Sequence, residues 1–410
     1  MANARRSAPD ILKSGPAKEW KAMANENLGN AKKAKYDEFY TQYADIEKEI
    51  NAYLEYDTNV FRNKTVLLPC DDPEWSNFTR YFAENFDKLG LKKLISTSYA
   101  PDAKPKELNL QLSLFEQESP KFDKKKARAN GRIFTLERDR NGDKRINFDD
   151  IEWDYLKGDG DFRSNEVKAL RDEADIIVTN PPFSLFREFL AWVVEAKKKF
   201  VIIGNMNAIT YKEVFPLIMT DKMWLGATNF NTGMYFRVPE GFRYADSYKF
   251  EREQNGVAVN RVPGVCWFTS LDHGRRHEEM TLMTKARNKK FSKHKEIRGA
   301  GYLKYDNYDA IEVPYTDAIP SDHKGVMGVP ITFLGKYSPE QFEIVGMCEN
   351  QDLYGLKTYK YSTDECRAAY KAKFGKIGTY DLNASGVVTV DGIQEKVYQR
   401  ILIRHRKASK

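Results

Sequence analysis

The sequence has few of the residues from which disulfide frameworks and zinc sites are built. It contains 4 cysteines and 5 histidines among 410 residues. The cysteines are far apart and form no Cys-x-x-Cys pair; they are Cys70, Cys266, Cys348 and Cys366. Neither a zinc knuckle nor a disulfide framework is therefore indicated, and we predict no metal site.

Long hydrophobic runs are missing as well. No apolar stretch approaches the roughly 18 to 20 residues that a membrane-spanning helix needs. The first residues also lack the apolar core of a secretory signal peptide. From these two absences we expect a cytoplasmic protein without a membrane partner.

The sequence is long and carries an excess of positive charge. A chain of 410 residues is long enough for two domains, and an aromatic content of 13% is typical of a globular protein. Lys and Arg number 66 against 59 Asp and Glu, and the excess of 7 is clustered. Clustered positive charge favours a polyanionic partner, of which double-stranded DNA is one, without proving it.

The segment from Ala174 to Phe183 organises the rest of the chain. Its first half is a short β-branched run that predicts a strand buried on both faces of a parallel sheet. Two consecutive prolines then end the strand, and apolar residues at helical spacing follow, with Ser184 as the expected cap. Phe200 to Gly204 predicts the next strand. Ligands of open α/β sheets bind where such a loop points, outside the carboxyl ends of the strands.

The loop Asn180-Pro181-Pro182-Phe183 suits the binding of an aromatic amine. The side-chain oxygen of Asn180 and the carbonyls of the two prolines are acceptors that can hold both hydrogens of an exocyclic amino group. Phe183 supplies a face on which the ring can stack. Gripping both N–H groups favours a pyramidal nitrogen whose lone pair can attack in line. A proline turn after a strand is the alternative interpretation of these four residues.

Asn-Pro-Pro-aromatic is the signature of amino-group methyltransferases, and a second region makes the resemblance specific. The run from Lys32 to Tyr99, including Asp37 to Thr41 and Cys70 to Pro73, resembles the EcoRI-type DNA adenine methyltransferases. The resemblance implies an α/β fold with a Rossmann-like sheet and a smaller mixed α/β target-recognition region. It also implies methyl transfer from S-adenosylmethionine to the N6 amino group of a flipped-out adenine in duplex DNA. Restriction-modification systems and phage or other mobile elements are the expected context.

The same resemblance implies where the cofactor binds. Phe39, Tyr40 and Thr41 would line its methionine end, and the turn with Pro69, Asp71 and Asp72 would contact it although this turn lacks the usual glycines. Asp161 would accept from the cofactor's adenine amino group while Phe162 packs on that ring. The alternatives are a helix start with surface tyrosines, an acidic helix start that stabilises the macrodipole, and an ordinary Asp-Gly turn.

Residues 104–150 are polar and look like an elaboration of the catalytic domain. Ile133 to Leu136 and Ile146 to Phe148 flank an Asn-Gly pair, which predicts a β-hairpin. The tip half matches a calcium loop, but Lys144 replaces its glycine. His273 and His277 are spaced like metal ligands, although a charged turn is the simpler interpretation.

The order of motifs predicts three regions. Residues 1–30 would be a basic mobile arm, residues 31–285 the catalytic domain, and residues 286–410 the DNA-recognition region. We expect Lys289, Lys290 and Lys293 in a basic run, and Arg400 and Arg404 in the last strand, to contact DNA. We also expect a monomer, with a restriction endonuclease of the same specificity as a candidate partner.

Two other classes of function stay open from the sequence. The motif also serves methyltransferases that act on cytosine N4, on RNA or on a glutamine side chain. The glycine-free turn leaves room for a DNA-binding module with an inactive methyltransferase fold.

Overall fold

The computed structural model describes residues 40–73, 76–100, 119–237, 252–254 and 257–406. The predicted basic arm, Phe39, the side chain of Tyr40 and residues 104–118 of the predicted elaboration lie outside what is described. The chain divides into two compact units. The first takes its described residues from Met1–Ala208 and Thr228–Leu271, and the second from Ile209–Ala227 and Asp272–Lys410. The sequence placed the boundary near residue 285.

The strands of the first unit are β1 to β7 and β9 to β12, and those of the second are β8 and β13 to β18. In chain order, the bounds are β1 Tyr40–Thr41, β2 Thr65–Leu68, β3 Lys93–Ser98, β4 Arg132–Leu136, β5 Glu152–Tyr155, β6 Ile176–Thr179, β7 Lys199–Asn205, β8 Trp224–Leu225, β9 Met234–Arg237, β10 Arg252–Gln254, β11 Val257–Val262, β12 Val265–Thr269, β13 Ala310–Glu312, β14 Val326–Pro330, β15 Phe342–Met347, β16 Val387–Val390, β17 Ile393–Lys396 and β18 Arg400–His405.

The α-helices α1 to α6 belong to the first unit, and α7 to α9 belong to the second. Their bounds are α1 Tyr43–Tyr56, α2 Asn77–Glu84, α3 Phe86–Leu89, α4 Lys126–Ala129, α5 Asn165–Glu173, α6 Phe186–Glu195, α7 Phe215–Met219, α8 Lys285–Phe291 and α9 Thr363–Phe374. Short 3-10 turns lie between them at Phe148–Asp150, Phe183–Leu185, Met206–Thr210, Gly274–His277, Thr316–Ala318, Ile331–Lys336 and Leu382–Ala384. Among the described residues, no helix is both long enough and apolar enough to cross a lipid bilayer.

A mixed sheet forms the centre of the first unit and confirms the predicted α/β fold. Its strands in this unit run in the order β5-β4-β3-β2-β6-β7-β12. The four central strands, β3, β2, β6 and β7, are parallel, and β12 and the β4–β5 pair add to them antiparallel. All four residues of β6 are buried, as the β-branched run predicted. Parallel strands bring their carboxyl ends to one edge, and β6 delivers Asn180 there.

The predicted hairpin exists, but its second strand was misplaced. β4 pairs antiparallel with Glu152–Tyr155, with Arg132 opposite Tyr155. Residues 146–148 were expected in that strand. Phe148–Asp150 instead form a 3-10 turn capped reciprocally by Asn147 and Asp150. Because β4 also pairs with β3, the elaboration extends the main sheet.

A small antiparallel sheet holds the start of the described chain. Its order is β1-β9-β11-β10, and Tyr40 and Thr41 lie opposite Arg237 and Phe236. Helix α1 follows at once and buries Ile46, Ile50 and Tyr53, which are three or four residues apart and so share one face. These side chains join the first unit's hydrophobic core with Val66, Val178 and Trp267. Thr41 is thereby fixed to the first unit.

The second unit has its own sheet, ordered β13-β14-β18-β15, and a separate β16–β17 hairpin. β13 and β14 are parallel, whereas β18 pairs antiparallel with both β14 and β15. Apolar residues of β18 supply its centre, with Ile401, Leu402 and Ile403 all buried. The mixed α/β character predicted for this part of the chain is confirmed.

Candidate active site

The Thr179 hydroxyl, at the end of β6, connects the loop that follows β6 with the turn that follows β2. It lies 2.7 Å from the carbonyl oxygen of Pro69 and 2.5 Å from a carboxylate oxygen of Asp71. Thr179 and Asp71 are both buried. The loop that begins at Asn180 is therefore fastened directly to the turn after β2.

Asp71 carries the connection further, to the start of α2. Its other carboxylate oxygen accepts from the Ser76 hydroxyl at 2.7 Å, and that hydroxyl caps the helix by accepting from the Phe78 N–H. The next residue, Asn77, donates its amide to the carbonyl of Thr41 at 2.7 Å. Hydrogen bonds thus join Thr179 to Asp71 and Asp71 to Ser76, and the adjacent residue Asn77 bonds to Thr41.

The turn without glycines uses a cysteine in a glycine-like conformation. Cys70 has φ of 72°, in the left-handed region that side chains other than glycine seldom occupy. Its N–H donates to the Thr97 hydroxyl at 3.4 Å, from the neighbouring strand β3. Backbone held in this region is typical of functional sites, where the surrounding structure enforces the strain.

Glycines occur instead where the loop 158–161 meets the end of β3. A Cβ atom on Gly160 would come within 2.3 Å of the Ser98 carbonyl oxygen, and one on Gly131 within 2.5 Å of it. The Ala100 N–H donates to the Asp159 carbonyl at 2.8 Å. Close backbone approach therefore explains Gly160 of the Gly-Asp-Gly-Asp motif, and it brings Asp161 to the same edge as Asn180.

Asp161 remains an ionised acceptor in this environment. Arg163 donates to its carboxylate at 2.6 Å, and this hydrogen bond lowers the pKa of Asp161. Tyr99 lies close by: burial, the Cys70 thiol and the charge of Asp161 raise the pKa of its phenol, so it is a neutral donor at physiological pH. The edge of the sheet thus presents the carboxylate of an Asp161–Arg163 ion pair and one neutral hydroxyl.

Phe162 does not have the surroundings that were predicted for it. Its ring is fully buried and packs edge-on against Phe189 at 5.2 Å and Trp192 at 5.6 Å between ring centroids. A ring enclosed by helix α6 has no exposed face on which the cofactor's adenine could stack. Its observed role is to anchor the loop that carries Asp161.

The Asn-Pro-Pro-Phe loop ends in a 3-10 turn, Phe183–Leu185, before α6 begins. The carbonyl of Pro182 accepts from the Leu185 N–H at 2.9 Å. Ser184 lies within this turn, so the prediction that it caps the helix was wrong; the cap position is Leu185, without a side-chain bond. Asn180 is half-buried, whereas Pro181 and Phe183 are buried.

Asp72 is committed to an ion pair. Its carboxylate contacts the guanidinium of Arg132 from β4, and each side chain is 11% exposed. Arg132 also donates to the Ser98 hydroxyl at 3.3 Å. The pair joins the turn after β2 to strand β4. Its negative charge is neutralised within the protein, which weakens the case for Asp72 as the partner of an ammonium group.

The calcium-like loop satisfies its acidic side chains internally. Asp139 accepts from the N–H groups of Gly142 and Lys144, and Asp150 accepts from those of Arg140 and Asn141. Backbone donors therefore occupy the positions that a cation would need. Throughout the described residues, no group of three or more His, Cys, Asp or Glu could hold a metal ion.

The basic residues predicted to contact DNA have different surroundings. Lys289 and Lys290 are exposed on α8, and Lys293 is exposed but pairs with Asp317 at 2.7 Å. Arg404 is exposed and pairs with Glu343 at 2.7 Å.

Arg400 differs from the other four residues because it is buried. It is 7% exposed and forms a two-pronged buried ion pair with Glu312, with hydrogen bonds of 2.6 and 3.0 Å. The guanidinium faces the interior of the second unit because Glu312 on β13 lies there. Arg400 therefore holds the sheet together and is not placed to contact DNA.

Sequence reasoning missed Thr179, Ser76, Asn77 and Tyr99. A polar residue at the end of the apolar run before Asn180 was the available signal for Thr179. Ser76 bonds to the nearby Asp71 and Phe78, and a serine before a helix was the available signal for it. Nothing local distinguishes Asn77, because its partner Thr41 is 36 residues away in the chain.

Comparison with known proteins identifies the family of the chain. Residues 27–406 match the family model described as adenine-specific methyltransferase EcoRI. The chain is 45% identical over 322 residues to the Type II methyltransferase M.EcoRI of Escherichia coli, covering 78% of this chain and 89% of that protein. It is 36% identical over 338 residues to the Type II methyltransferase M.MpnI of Mycoplasma pneumoniae, covering 82% and 90% of the two chains.

A third relative, the Type II methyltransferase M.MgeORF184P of Mycoplasma genitalium, is 35% identical over 326 residues and covers 79% of this chain and 87% of its own. No solved structure matches the chain significantly. With the family model spanning nearly the whole sequence and three relatives above 30% identity, the chain belongs to the adenine-specific methyltransferase EcoRI family.

Proposed function

We propose that the chain is a site-specific DNA methyltransferase that transfers a methyl group from S-adenosylmethionine to the N6 amino group of adenine. The observation that carries this proposal is a set of three hydrogen bonds that starts at Thr179, the neighbour of Asn180. They join Thr179 to Asp71, Asp71 to Ser76, and the next residue, Asn77, to Thr41. This set fixes the amine-binding loop against the segments proposed for the cofactor. A rigid arrangement of this kind supports positioning of two reactants, which is the main requirement of a direct methyl transfer.

The residues at the edge of the sheet fit S-adenosylmethionine. The Thr41 hydroxyl is buried and has no hydrogen-bond partner among the described residues, so a bound ligand could satisfy it. Asp161 offers an ionised acceptor for the adenine amino group, and Tyr99 offers a neutral hydroxyl. When bound, the cofactor supplies the electrophilic methyl group of a sulfonium.

In the proposed reaction, Asn180 and the Pro181 carbonyl accept from the two amino hydrogens of the target base. The carbonyl of Pro182 is already engaged by Leu185, so it contributes less. Accepting both hydrogens orients the nitrogen lone pair toward the methyl group without a strong general base. Swinging the adenine out of the duplex costs a few kcal/mol, on the order expected for unstacking a base.

The proposed cofactor set is Thr41, Pro69, Asp71, Asp161 and Tyr99, with Phe39 and Tyr40 retained from the family resemblance. Asp71 takes part through its bonds to Ser76 and Thr179 rather than through an exposed carboxylate. A cytoplasmic location, a monomeric state and a partner endonuclease stay predictions.

The direct test uses duplex DNA and methyl-labelled S-adenosylmethionine. We expect label in N6-methyladenine after digestion of the DNA. Label in cytosine, in RNA or in protein would reject the proposal in favour of a related methyltransferase. Absence of cofactor binding in calorimetry would favour an inactive DNA-binding module.

Replacing Asn180 tests the mechanism. Asn180→Ala removes one acceptor, and we expect turnover to fall by about 100- to 1,000-fold, as for loss of one transition-state hydrogen bond. DNA affinity should stay unchanged. Asn180→Asp is the matched control, because it keeps an acceptor oxygen and should retain more activity than the alanine variant. An alanine variant with normal turnover would remove Asn180 from the mechanism.

A further inference from the structure

The second unit has an exposed surface that the proposed active site does not use. It comprises helix α9 and the loop 375–379, and we call it the α9 surface. Arg367, Lys371, Phe374 and Ile377 are all exposed there. Arg367, Lys371 and Phe374 are three or four residues apart, so they share one face of the helix.

The charge of the α9 surface has one sign after its first three residues. From Cys366 to Thr379 the sequence has four basic residues and no acidic one; they are Arg367, Lys371, Lys373 and Lys376. Arg367 pairs with Asp364 at 3.1 Å, and Lys373 pairs with Glu395 at 2.9 Å. Among the described residues, Lys371 and Lys376 form no ion pair. Two uncompensated cations are thus available to an anionic partner.

Two large apolar side chains stand among these cations. Phe374 is 50% exposed and Ile377 is 97% exposed. The loop that carries Ile377 has a fixed conformation: Gly375 ends the helix with φ of 68°, and a Cβ atom on Gly378 would come within 2.3 Å of the Tyr370 ring. The loop is therefore packed on the Tyr370 ring and holds Ile377 at its tip. There the side chain is exposed, so its burial does not stabilise the fold.

An open depression of about 350 Å³ lies at the centre of the α9 surface. Its lining combines two cations, a hydroxyl and an apolar tip, and consists of Arg367, Ala368, Lys371, Ile377, Gly378 and Thr379. Cationic and hydroxyl donors around a shallow space are the groups that contact phosphate and sugar in protein–DNA complexes.

We propose that the α9 surface contacts duplex DNA. Lys371 and Lys376 would bind backbone phosphates, and Ile377 would pack against the sugars or base edges of a groove. The proposal deepens the proposed function, on which it rests, by naming a binding surface outside the predicted set of Lys289, Lys290 and Lys293. Charge complementarity selects DNA, because uncompensated lysines beside an apolar tip match a polyanion with apolar groove surfaces.

The test measures binding of the full chain to a labelled duplex of random sequence at several salt concentrations. For Lys371→Ala/Lys376→Ala, we expect the slope of log K against log salt to decrease in size by about 1.8, or about 0.9 for each lost phosphate contact. Ile377→Ala should weaken binding by about 5- to 10-fold without changing the slope, because it removes only apolar contact.

Two matched variants serve as controls. Lys324→Ala/Lys336→Ala removes two exposed lysines elsewhere in the second unit, and Leu353→Ala removes another exposed apolar side chain, which is 56% exposed. A decrease in affinity for the α9 variants, beyond that of their controls, supports the proposal. Affinity and salt slope equal to those of the controls would overturn it.

Two further measurements separate this inference from the proposed function. Calorimetric affinity for S-adenosylmethionine should be the same in all variants, because none of the substituted residues lies in the first unit. If the wild-type chain binds duplex DNA but fails to methylate it, the proposed function fails while the binding comparison still decides the α9 surface. Binding of an acidic protein in place of DNA would overturn the choice of partner.

Discussion

At the scale of single residues, Thr179 is the clearest case of a side chain that acts through its neighbours. Its hydroxyl contacts Pro69 and Asp71, which lie 110 and 108 residues away in sequence. The hydroxyl has one hydrogen to donate, so its loss leaves one of these two buried acceptors without that donor, at a desolvation cost of about 1 to 3 kcal/mol. The hydroxyl therefore contributes to stability and to the position of Asn180.

Thr179→Val keeps the shape of the side chain and removes the hydroxyl. We expect the free energy of unfolding to fall by about 1 to 3 kcal/mol. We also expect KM for S-adenosylmethionine to rise, because the turn after β2 is no longer held. Urea unfolding and steady-state kinetics at varied S-adenosylmethionine concentration measure the two effects. Thr179→Ser should restore both; a valine variant with unchanged KM would limit Thr179 to a structural role.

Cys70 gives a second residue-scale test, since its backbone has the left-handed conformation. A non-glycine residue there costs about 1 to 2 kcal/mol, and a β-branched one costs more. We expect Cys70→Gly to lie within about 1 kcal/mol of the wild type, because relief of strain is offset by the greater entropy of the unfolded chain. Cys70→Val should be less stable than Cys70→Ala. Equal stabilities of the valine and alanine variants would contradict the assigned conformation.

At the scale of elements, the second unit shows how a short turn can be held by charge. In the 3-10 turn Gly274–His277, the His277 ring bonds to Glu340 at 2.7 Å and to Asp272 at 2.9 Å. Burial alone would lower the pKa of His277, but the two carboxylates outweigh it and raise the pKa. The protonated ring ties the turn to the segment before β15.

The sign of the effect on stability follows from the raised pKa. The stability that the protonated His277 ring contributes is fully present below the unfolded-state pKa of about 6.5. It is lost as pH rises through the higher folded-state pKa. We expect a loss of less than about 1 kcal/mol, as for a partly exposed ion pair. Urea unfolding at acidic and alkaline pH measures it. His277→Gln should flatten this part of the profile; an equally steep profile in the variant would assign it to other groups.

Strand β18 was predicted at nearly its observed position, yet one of its two arginines is buried and the other is exposed. Alternation places Arg400 and Arg404, four residues apart, on the same face, so it cannot distinguish them. Their burial differs along the strand: residues 400–403 are buried, and Arg404 lies at the exposed end. Arg400 faces Glu312 in the interior, and Arg404 pairs with Glu343 at the surface. Removing one partner of a buried pair costs about 3 to 5 kcal/mol, so a loss of DNA binding in an Arg400 variant would reflect unfolding.

At the scale of the whole molecule, the excess of 7 positive charges predicts DNA binding that weakens with salt. The exposed lysines of α8 should contribute to it. Lys289→Ala/Lys290→Ala should reduce the size of the salt slope by about 1.8 and weaken binding equally for all sequences.

Lys293→Ala is the internal control for this prediction, because the ion pair with Asp317 already compensates its charge. Fluorescence anisotropy with two duplexes of different sequence provides the measurement. A larger effect from Lys293 than from the other two lysines would mean that the Asp317 pair opens on DNA. Loss of affinity for one duplex alone would indicate base recognition rather than phosphate contact.

The sequence by itself determined the strand, the Asn-Pro-Pro-Phe loop and the helix that follows, and with them the α/β class and the family. These features depend on local causes: β-branched periodicity makes the strand, and two prolines must end it. The motif could therefore be identified from the residues of one segment.

Only the tertiary structure decided which residues surround that loop. The bond from Thr179 to Asp71, the pairing of β4 with Glu152–Tyr155, the enclosure of Phe162 and the interior position of Arg400 all join distant segments. Burial and pairing of this kind depend on how the chain packs, and no local pattern encodes the partner. For the same reason the left-handed turn at Cys70 could not be predicted, because the folded protein imposes it against the residue's own preference.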